Sequence, residues 1–382
     1  MVFVIRRRGI AAGLALAALI AGAVVYVIPR PGHSIQSLPE KFSDAEFWSI
    51  LSNFSEHGGY FRSDNFISNE STFQWVVPDL SKKLRRGGVY LGVGPDQNFT
   101  YIVAFHPAVA FITDIRSQNM LLHLMYKALF EMSANRAEFL SRLFARPIPQ
   151  AVKGTDDLAV VLQAFNAEHS DPILARNTFI AIMDRLRESH HFRIGIEDAG
   201  TIDYVYKAFV AGGPGIRYSF PNQYSWRKFP SYSELMLETD AIGENHSYLS
   251  SEENFQTIKN LESENRIIPI VGDFAGDKAL RSVGRYLKQH GAAVTAFYTS
   301  NVEFYLFQSD DWRKFYNNVA ELPVDRDSVF IRAYFNNYGL PYANASNARS
   351  ETLVDGIQDL TSSFRANQIH SYFDVIKRSI AP

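Results

Sequence analysis

The stretch Val89–Asp114, VYLGVGPDQNFTYIVAFHPAVAFITD, decides the fold predicted for this chain. Residues 88–91 form a short β-prone run that ends at glycine, and residues 98–105 have a helical pattern. Residues 109–113 form a continuous apolar run, which is typical of a strand buried on both faces. A long helical pattern follows over residues 115–144. This close succession of strands and helices predicts βαβ units and a parallel sheet.

The predicted turn between the first strand and its helix contains Gly92 and Gly94. Because glycine has no Cβ, the backbone of such a turn can approach a ligand closely. The first turn of the following helix, which contains Asn98, has N–H groups without helical partners. Asp114 ends the next strand, where an acid can accept hydrogen bonds from the ribose of an adenosine-containing cofactor. These four residues form the predicted cofactor-binding set.

Structural explanations remain open for the same residues. The glycines would also suit a simple tight turn, and Asp114 would also suit the N-cap of the helix that follows it. Gln97 stands where the dinucleotide-binding fingerprint has its third glycine, so the pattern favours NAD less than other nucleotide-type cofactors.

The composition narrows the class of protein. The 382 residues are 46% hydrophobic and 20% charged, which is typical of a globular chain. A net charge of −2 without a basic stripe gives no indication of nucleic-acid binding. The chain has no cysteine, which excludes disulfides, thiolate metal sites and a cysteine nucleophile. No histidine spacing suited to a metal occurs, so no metal site is predicted.

The N-terminal segment predicts a membrane anchor. Three arginines at 6–8 precede an uncharged apolar run at residues 9–28, and a membrane-spanning helix needs about 20 residues. Its small residues lie inside the run, which favours an uncleaved anchor over the alternative, a signal peptide whose cleavage would release the protein. The arginines predict a cytoplasmic N-terminus and an extracytoplasmic body. Residues 29–42 are predicted to form a linker.

Residues 43–382 are predicted to form one domain, with a mostly helical insertion at about 147–229. The α/β pattern resumes beyond this insertion. Strands are predicted at 266–271, 292–298 and 328–333, and helices at 251–262, 277–290 and 310–319, with a helical tail at 354–380.

Four segments carry a family resemblance: GVGPDQNFTY, FITDIRSQNMLLHLMYKALFEMSANRAEFLSRLF, VGDFAG and AFYTSNVEFYL. They resemble an uncharacterised bacterial family similar to class I S-adenosylmethionine-dependent methyltransferases, over roughly Phe47 to Ala333. The resemblance implies a Rossmann-like, doubly wound, mostly parallel sheet with S-adenosylmethionine as its cofactor. It also implies that Gly92 and Gly94 line the methionine end of the cofactor and that Asp114 holds the ribose. Tyr90 and Asp96 depart from the broad methyltransferase pattern, which often has an acid and a glycine there.

Residues after two later strands complete the predicted site. The resemblance implies that Asp273, followed by Phe274, orients or deprotonates the methyl acceptor. Ser300 and Asn301 are predicted to line the cleft, because ligands of open α/β sheets bind beyond the carboxyl ends of the strands. Helix capping is the structural alternative for these polar residues.

The polar segment RSDNFISNE at residues 62–70 precedes the sheet. In the resembled fold an N-terminal segment often covers the cofactor, which implies that Asn65 and Glu70 contact the substrate. Its polarity would equally suit an ordinary loop.

Two functions are compatible with this sequence. The first is a methyltransferase-like enzyme that uses S-adenosylmethionine and has an unknown acceptor. The second is a non-enzymatic, membrane-anchored envelope or ligand-binding protein on the same fold. The second arises because S-adenosylmethionine is a cytosolic metabolite, whereas the arginines predict a body outside the cytoplasm.

Overall fold

A six-stranded sheet in the order β3-β2-β1-β4-β5-β6 lies at the centre of the computed structural model, which describes residues 37–219, 229–335 and 350–379. The strands are β1 Val89–Gly92, β2 Val109–Asp114, β3 Ile267–Val271, β4 Val294–Ser300, β5 Val324–Phe335 and β6 Ser350–Gly356. Strands β1 to β5 are parallel, and β6 pairs antiparallel with β5. The predicted α/β class with a mostly parallel sheet is confirmed.

Fifteen α-helices occur in the described parts of the chain. They are α1 Asp44–Phe54, α2 Val77–Lys83, α3 Gln97–Phe105, α4 Ser117–Met132, α5 Arg136–Phe144, α6 Leu158–Ala167, α7 Pro172–Asp184, α8 Ile196–Gly212, α9 Tyr232–Met236, α10 Glu252–Ser263, α11 Ala279–Gln289, α12 Val302–Gln308, α13 Trp312–Ala320, α14 Ile357–Arg365 and α15 Tyr372–Arg378. A π-helical turn, Arg185–Ser189, follows α7, and a 3₁₀ turn, Gly213–Gly215, follows α8.

The direction of the chain across the sheet reverses between β1 and β4. From β1 the chain moves outward through β2 to β3, and it then returns to β4 on the other side of β1. Parallel crossovers are almost always right-handed, so such a reversal puts helices on both faces of the sheet. Helix α4 packs on β2 and β3 together with α10, whereas α11 packs with α1 and α13. Ligands of sheets with this order bind at the carboxyl ends of the strands beside the reversal.

The outer edge of β3 is covered by the chain that follows α1. The N–H of Val271 donates to Ser55 Oγ at 3.0 Å, and the N–H of Glu56 donates to the Val271 carbonyl at 2.8 Å. Pro269, in the middle of β3, has no N–H, and proline within a sheet is confined to such edge positions. The edge strand therefore has few unpaired backbone donors.

The predicted element boundaries differ from the structure in three places. The long helix predicted over 115–144 is two helices, because Asn135 caps α5 by accepting from the N–H of Glu138. The sequence predicts helices within the insertion at 155–165 and 172–189 but none at α8, and α9 and α10 separate the insertion from β3. The tail predicted as helical begins within β6, which is held as a strand by its antiparallel pairing with β5.

The described residues belong to a single compact unit, Ile35–Pro382. The predicted anchor at residues 9–28 and most of the predicted linker lie outside the described residues. Among the residues that are described, no helix combines the length and apolar character needed to span a bilayer.

Candidate functional site

A cavity of about 500 Å³ lies at the carboxyl ends of β1, β2, β3 and β4. This volume is in the range of small-molecule sites. Eight of the ten predicted site residues line it: Asn65, Glu70, Gly94, Asp114, Asp273, Phe274, Ser300 and Asn301. The segment that precedes the sheet contributes the opposite wall, from Phe61 to Glu70. We call residues 61–70 the lid segment. The strand ends and the lid segment thus border the same cavity.

Gly94 lies on the cavity wall with φ +78°, a left-handed conformation that favours glycine. A Cβ placed on Gly94 would meet nothing within 4 Å, so the backbone there faces open space. A Cβ on Gly92 would instead lie 1.9 Å from Asn98 Oδ1. Gly92 therefore makes room for a side chain of the protein, and it does not line the cavity.

Asn98 is fully buried behind the glycine turn and does not line the cavity. Its Nδ2 donates to the carbonyls of Val93 at 2.9 Å, Gly94 at 3.2 Å and Pro95 at 2.6 Å, and its Oδ1 accepts from the Tyr90 hydroxyl at 2.8 Å. Asn98 therefore fixes the turn from behind, which is a structural role rather than the ligand contact that the sequence predicted.

His123 provides a second support for the same turn. Its Nε2 lies 2.9 Å from the Gly94 carbonyl, and because a carbonyl only accepts, Nε2 carries the proton. Burial lowers the pKa of His123 to about 4, so the ring is neutral at physiological pH. The Gly94 carbonyl is thus held by His123 and Asn98, neither of which lines the cavity.

Asp114 ends β2 on the cavity wall, and its carboxylate is already engaged. The backbone N–H of Arg116 donates to Oδ1 at 2.9 Å, and Arg116 Nε and Nη2 donate to Oδ1 and Oδ2 at 3.2 Å each. Arg116 Nη1 also donates to the Ser63 carbonyl at 3.1 Å, which links Asp114 to the lid segment. Among the residues that line the cavity, Arg116 is the basic one.

Glu70 is a fully buried acid in the wall formed by the lid segment. Gln97 Nε2 donates to Glu70 Oε2 at 2.9 Å, and the Ser300 hydroxyl donates to Oε1. Burial raises the pKa of Glu70, and hydrogen bonds from Ser300, Gln97 and Tyr298 oppose that rise. This acid joins the lid to the end of β4.

Ser300 is the last residue of β4, the strand next to β1. It has φ +52°, a left-handed conformation that is uncommon for residues other than glycine. The pairing of β4 with β5 is irregular between Tyr298 and Ser300. Asn301 follows immediately and precedes α12. These residues therefore stand beside the reversal of the sheet.

Asp273 and Phe274 follow β3, which lies beyond β2 at the edge of the sheet. Asp273 Oδ1 accepts from the N–H of Ala275 at 2.8 Å, which forms a local turn. Phe274 is buried and stacks on Phe315 with ring centroids 5.5 Å apart. Both residues line the cavity on the side of Asp114, away from the point where the strand order reverses between β1 and β4.

The lid segment is fixed by its own polar contacts. Asn65 Oδ1 accepts from the Ser63 hydroxyl at 2.7 Å, and Ser63 Oγ lies 2.5 Å from the Tyr218 hydroxyl. Phe61 packs edge-on against Tyr305 of α12, with centroids 5.2 Å apart. The cavity wall also contains Arg116, Tyr218, Tyr298 and Tyr305, which are not among the predicted site residues. Only Arg116 had a local signal, its position two residues after the acid that ends β2.

A buried polar cluster lies behind the cavity. The Tyr248 hydroxyl donates to Asp96 Oδ2 at 2.9 Å and lies 2.7 Å from the Tyr232 hydroxyl. Burial raises the pKa of Asp96 to about 7, against the effect of the Tyr248 hydrogen bond. Asp96 precedes α3, so this cluster adjoins the glycine turn.

The fold and the cavity define an α/β protein with a ligand-sized site where the sheet reverses. The chain belongs to the family described as a domain of unknown function, DUF7790, whose model matches residues 65–196 and 217–379. These two segments contain all six strands and the lid residues from Asn65 onward. No curated protein shows a significant match to the chain.

Proposed function

We propose that the cavity binds S-adenosylmethionine and that the protein is a methyltransferase-like enzyme with a Rossmann-like sheet. One observation carries the proposal. Gly94 and Asp114 each lie two residues beyond the same β1–β2 pair, Gly92 and Ile112, and both line one cavity at the reversal of the sheet. The strand order β3-β2-β1-β4-β5-β6 is that of nucleotide-binding sheets, here with an antiparallel β6.

The open space in front of Gly94 supports this ligand, because the cofactor needs bare backbone against which to lie. The charges in the cavity support it as well. Four acids, Glu70, Asp114, Asp273 and Asp311, and one base, Arg116, line the wall. S-adenosylmethionine has a sulfonium, an ammonium and a carboxylate group, so it has one net positive charge. An acidic cavity with a single arginine complements that distribution.

The Arg116 pairing limits how Asp114 can hold a ribose. A carboxylate offers about four acceptor positions, and Arg116 occupies three of them. One position on Oδ2 remains for a ribose hydroxyl, and a second hydroxyl requires the guanidinium to move. Binding of the ribose therefore competes with the Asp114–Arg116 ion pair.

When bound, the cofactor supplies a methyl group with electrophilic character. The chain's own contribution is orientation, since methyl transfer depends on holding donor and acceptor in line. Gly94 and Asp114 hold the donor. Ser300 and Asn301 lie at the end of β4, the neighbour of β1. In this proposal they face the acceptor. Asp273, which the resemblance implies orients or deprotonates the acceptor, follows β3 on the Asp114 side of the cavity. In this proposal Asp273 contacts the donor.

The test is calorimetric titration of the full chain with S-adenosylmethionine and S-adenosylhomocysteine. Wild type binds both, and Asp114→Asn weakens binding by about 10- to 100-fold, because a hydrogen bond to a charged group contributes roughly 1.5–3 kcal/mol. The exposed Asp277 is the matched control, and Asp277→Asn leaves binding unchanged. Failure of wild type to bind either ligand rejects the proposal.

The occupied Asp114 carboxylate also favours a second candidate, the non-enzymatic binding protein. In that case Asp114 holds Arg116 in place, and Arg116 binds an anionic ligand. The membrane anchor and the extracytoplasmic location of the body belong to this candidate and stay predictions. A reporter fused to the C-terminus tests them, and a cytoplasmic signal would contradict the predicted topology.

A further inference from the structure

The contact between Ser300 and Glu70 has the features of a proton path. Ser300 Oγ donates to Glu70 Oε1, across 230 residues of sequence and between two walls of the cavity. Ser300 is part-buried, whereas Glu70 is only 1% exposed. A ligand in the cavity can therefore reach the serine hydroxyl, and that hydroxyl is hydrogen-bonded to the less accessible Glu70 carboxyl.

The surroundings of Glu70 show that its carboxyl is arranged as an acceptor. Gln97 Nε2 donates to Oε2 at 2.9 Å, and Ser300 donates to Oε1. An amide N–H is a donor only, so the arrangement is satisfied when Glu70 is ionised. The ionisable groups that influence or face this carboxyl are Tyr90, Tyr101, Tyr298 and Glu238.

Burial raises the pKa of Glu70, which makes it a stronger base than an exposed glutamate. General-base catalysis is most efficient when the base has a pKa near the working pH. The raised pKa of Glu70 is therefore consistent with the geometry. The geometry by itself identifies the proton path.

The backbone at Ser300 is a second, independent feature. Its φ of +52° is strained for a residue with a side chain, and the pairing of β4 and β5 is irregular there. Glycine would fit this conformation without strain. Strained residues of this kind concentrate at functional sites, where the surrounding structure holds them in place.

We propose that Ser300 and Glu70 form a proton relay, so that the acceptor of the proposed methyl transfer is a small molecule with an O–H or N–H group. This inference rests on the proposed function. The cavity volume of about 500 Å³ limits the size of an acceptor that can bind beside the donor.

The relay takes up the proton that the acceptor loses during methyl transfer. A lone pair on the acceptor oxygen or nitrogen forms the new bond to the methyl carbon, and the electron pair of the broken carbon–sulfur bond stays on sulfur. The acceptor's proton moves to Ser300 Oγ as the serine's own proton moves to Glu70 Oε1. Glu70 ends as a neutral carboxylic acid, and later loss of its proton to solvent restores the carboxylate.

The probe for the relay is sinefungin, an analogue in which an amine replaces the sulfonium methyl. Its ammonium group occupies the position from which the methyl leaves, and it donates to Ser300 Oγ in front of the Glu70 charge. Full-length wild type, titrated by calorimetry, binds sinefungin about 10- to 100-fold more tightly than S-adenosylhomocysteine, since a charged hydrogen bond contributes roughly 1.5–3 kcal/mol.

Two variants test the assignment of the relay. Glu70→Gln keeps hydrogen-bonding capacity and removes the charge, and Ser300→Gly removes the hydroxyl while suiting the backbone. Both reduce the affinity ratio of the two ligands to about one. Ser81→Ala is the control, because the exposed Ser81 donates to the Pro78 carbonyl in α2 and does not line the cavity, and it keeps the wild-type ratio.

The outcomes separate the two proposals. If wild type and both variants bind the two ligands with the same ratio, the relay is wrong and the cofactor site stands. If wild type binds neither ligand, the proposed function fails and the relay fails with it. Thermal melting of each variant verifies that it is folded, and Ser300→Gly provides a result if Glu70→Gln is unfolded.

Discussion

Arg116 donates two parallel hydrogen bonds to the Asp114 carboxylate, from Nε to Oδ1 and from Nη2 to Oδ2, both 3.2 Å long. The two side chains are 8% and 7% exposed, so neither charge is well solvated. Removing one partner of such a pair leaves the other as an uncompensated buried charge. The residue proposed to hold the ribose is therefore also an anchor of the lid, through Arg116 and the Ser63 carbonyl.

Arg116→Gln distinguishes the two candidate ligand classes. If Asp114 holds a ribose, the variant binds S-adenosylmethionine within about tenfold of wild type, because it frees acceptor positions on the carboxylate. Calorimetric titration beside Asp114→Asn measures this. Loss of binding in Arg116→Gln but not in Asp114→Asn would instead identify an anion site centred on the arginine.

Alanine substitutions at the two glycines of the turn have different effects. Gly92→Ala places a Cβ against Asn98 Oδ1 and disrupts the hydrogen bonds that hold the turn. We expect this variant to lower the unfolding free energy by about 2 kcal/mol or more, which is the larger of the two effects. Gly94→Ala meets no atom within 4 Å but must adopt φ +78°, which costs about 1–2 kcal/mol. Urea unfolding measures both. Equal losses would contradict the distinction between the two positions.

Gly94→Ala also projects a methyl group into the cavity. We therefore expect it to weaken S-adenosylmethionine binding by more than its stability loss explains, which calorimetry at a temperature where the variant is folded can measure. Unchanged affinity would place the ligand away from the turn.

Asp96 makes stability depend on pH in a defined direction. Its pKa is about 7 in the folded protein and near 4 when unfolded, so the folded state holds a proton that the unfolded state has lost between these values. The unfolding free energy therefore falls as pH rises from about 4 to 7 and is level above that. Asp96→Asn keeps the acceptor for Tyr248 and removes the titration.

The expected result is that Asp96→Asn is more stable than wild type at pH 8, by a few kcal/mol, and that the difference shrinks as pH falls toward 4. Chemical denaturation at four or five pH values measures it. Glu238 and Glu262 also have pKa values raised by burial, to about 7 and about 8, so only the difference from wild type isolates Asp96. A difference independent of pH would contradict the assignment.

The buried ion pair of Arg332 and Glu303 stabilises the end of the sheet. Arg332 is fully buried, and both guanidinium contacts with Glu303 are made inside the protein. Glu303→Ala removes both short guanidinium contacts and leaves Asp355, 3.8 Å away, as the carboxylate partner of Arg332. We expect it to lower the unfolding free energy by about 3–5 kcal/mol. Asp325→Ala is the matched control, because its pair with Arg85 is exposed and contributes under about 1 kcal/mol. Denaturant unfolding compares the two, and similar losses would be inconsistent with this account.

Local patterns were sufficient to predict the first βαβ unit. The apolar run that forms β2 and the glycine turn before α3 depend on neighbouring residues, and both were found within one or two positions. The joint presence of Gly94 and Asp114 at one cavity follows from the same local geometry. Asn98 is predicted to contact the ligand because it lies in the first turn of the helix after the glycine turn, whereas packing behind that turn buries it.

Long-range pairing decided what the sequence did not reveal. The position of β4 beside β1 moves Ser300 to the centre of the site and leaves Asp273 toward the edge, and no local signal encodes that order. Strand β6 mixes polar residues with Leu353 and Val354, and β5 supplies its hydrogen-bond partners. The burial of Glu70 likewise results from contact with Gln97 and Ser300, which lie far from it in sequence.

The covered edge at β3 has a consequence for the behaviour of the protein in concentrated solution. An open edge strand is a template on which a second chain can add by backbone pairing, the first step of aggregation. Here Pro269 lacks the N–H that such an addition would use, and Ser55 and Glu56 already bond to Val271. Self-association through this side of the sheet is blocked by the chain's own residues.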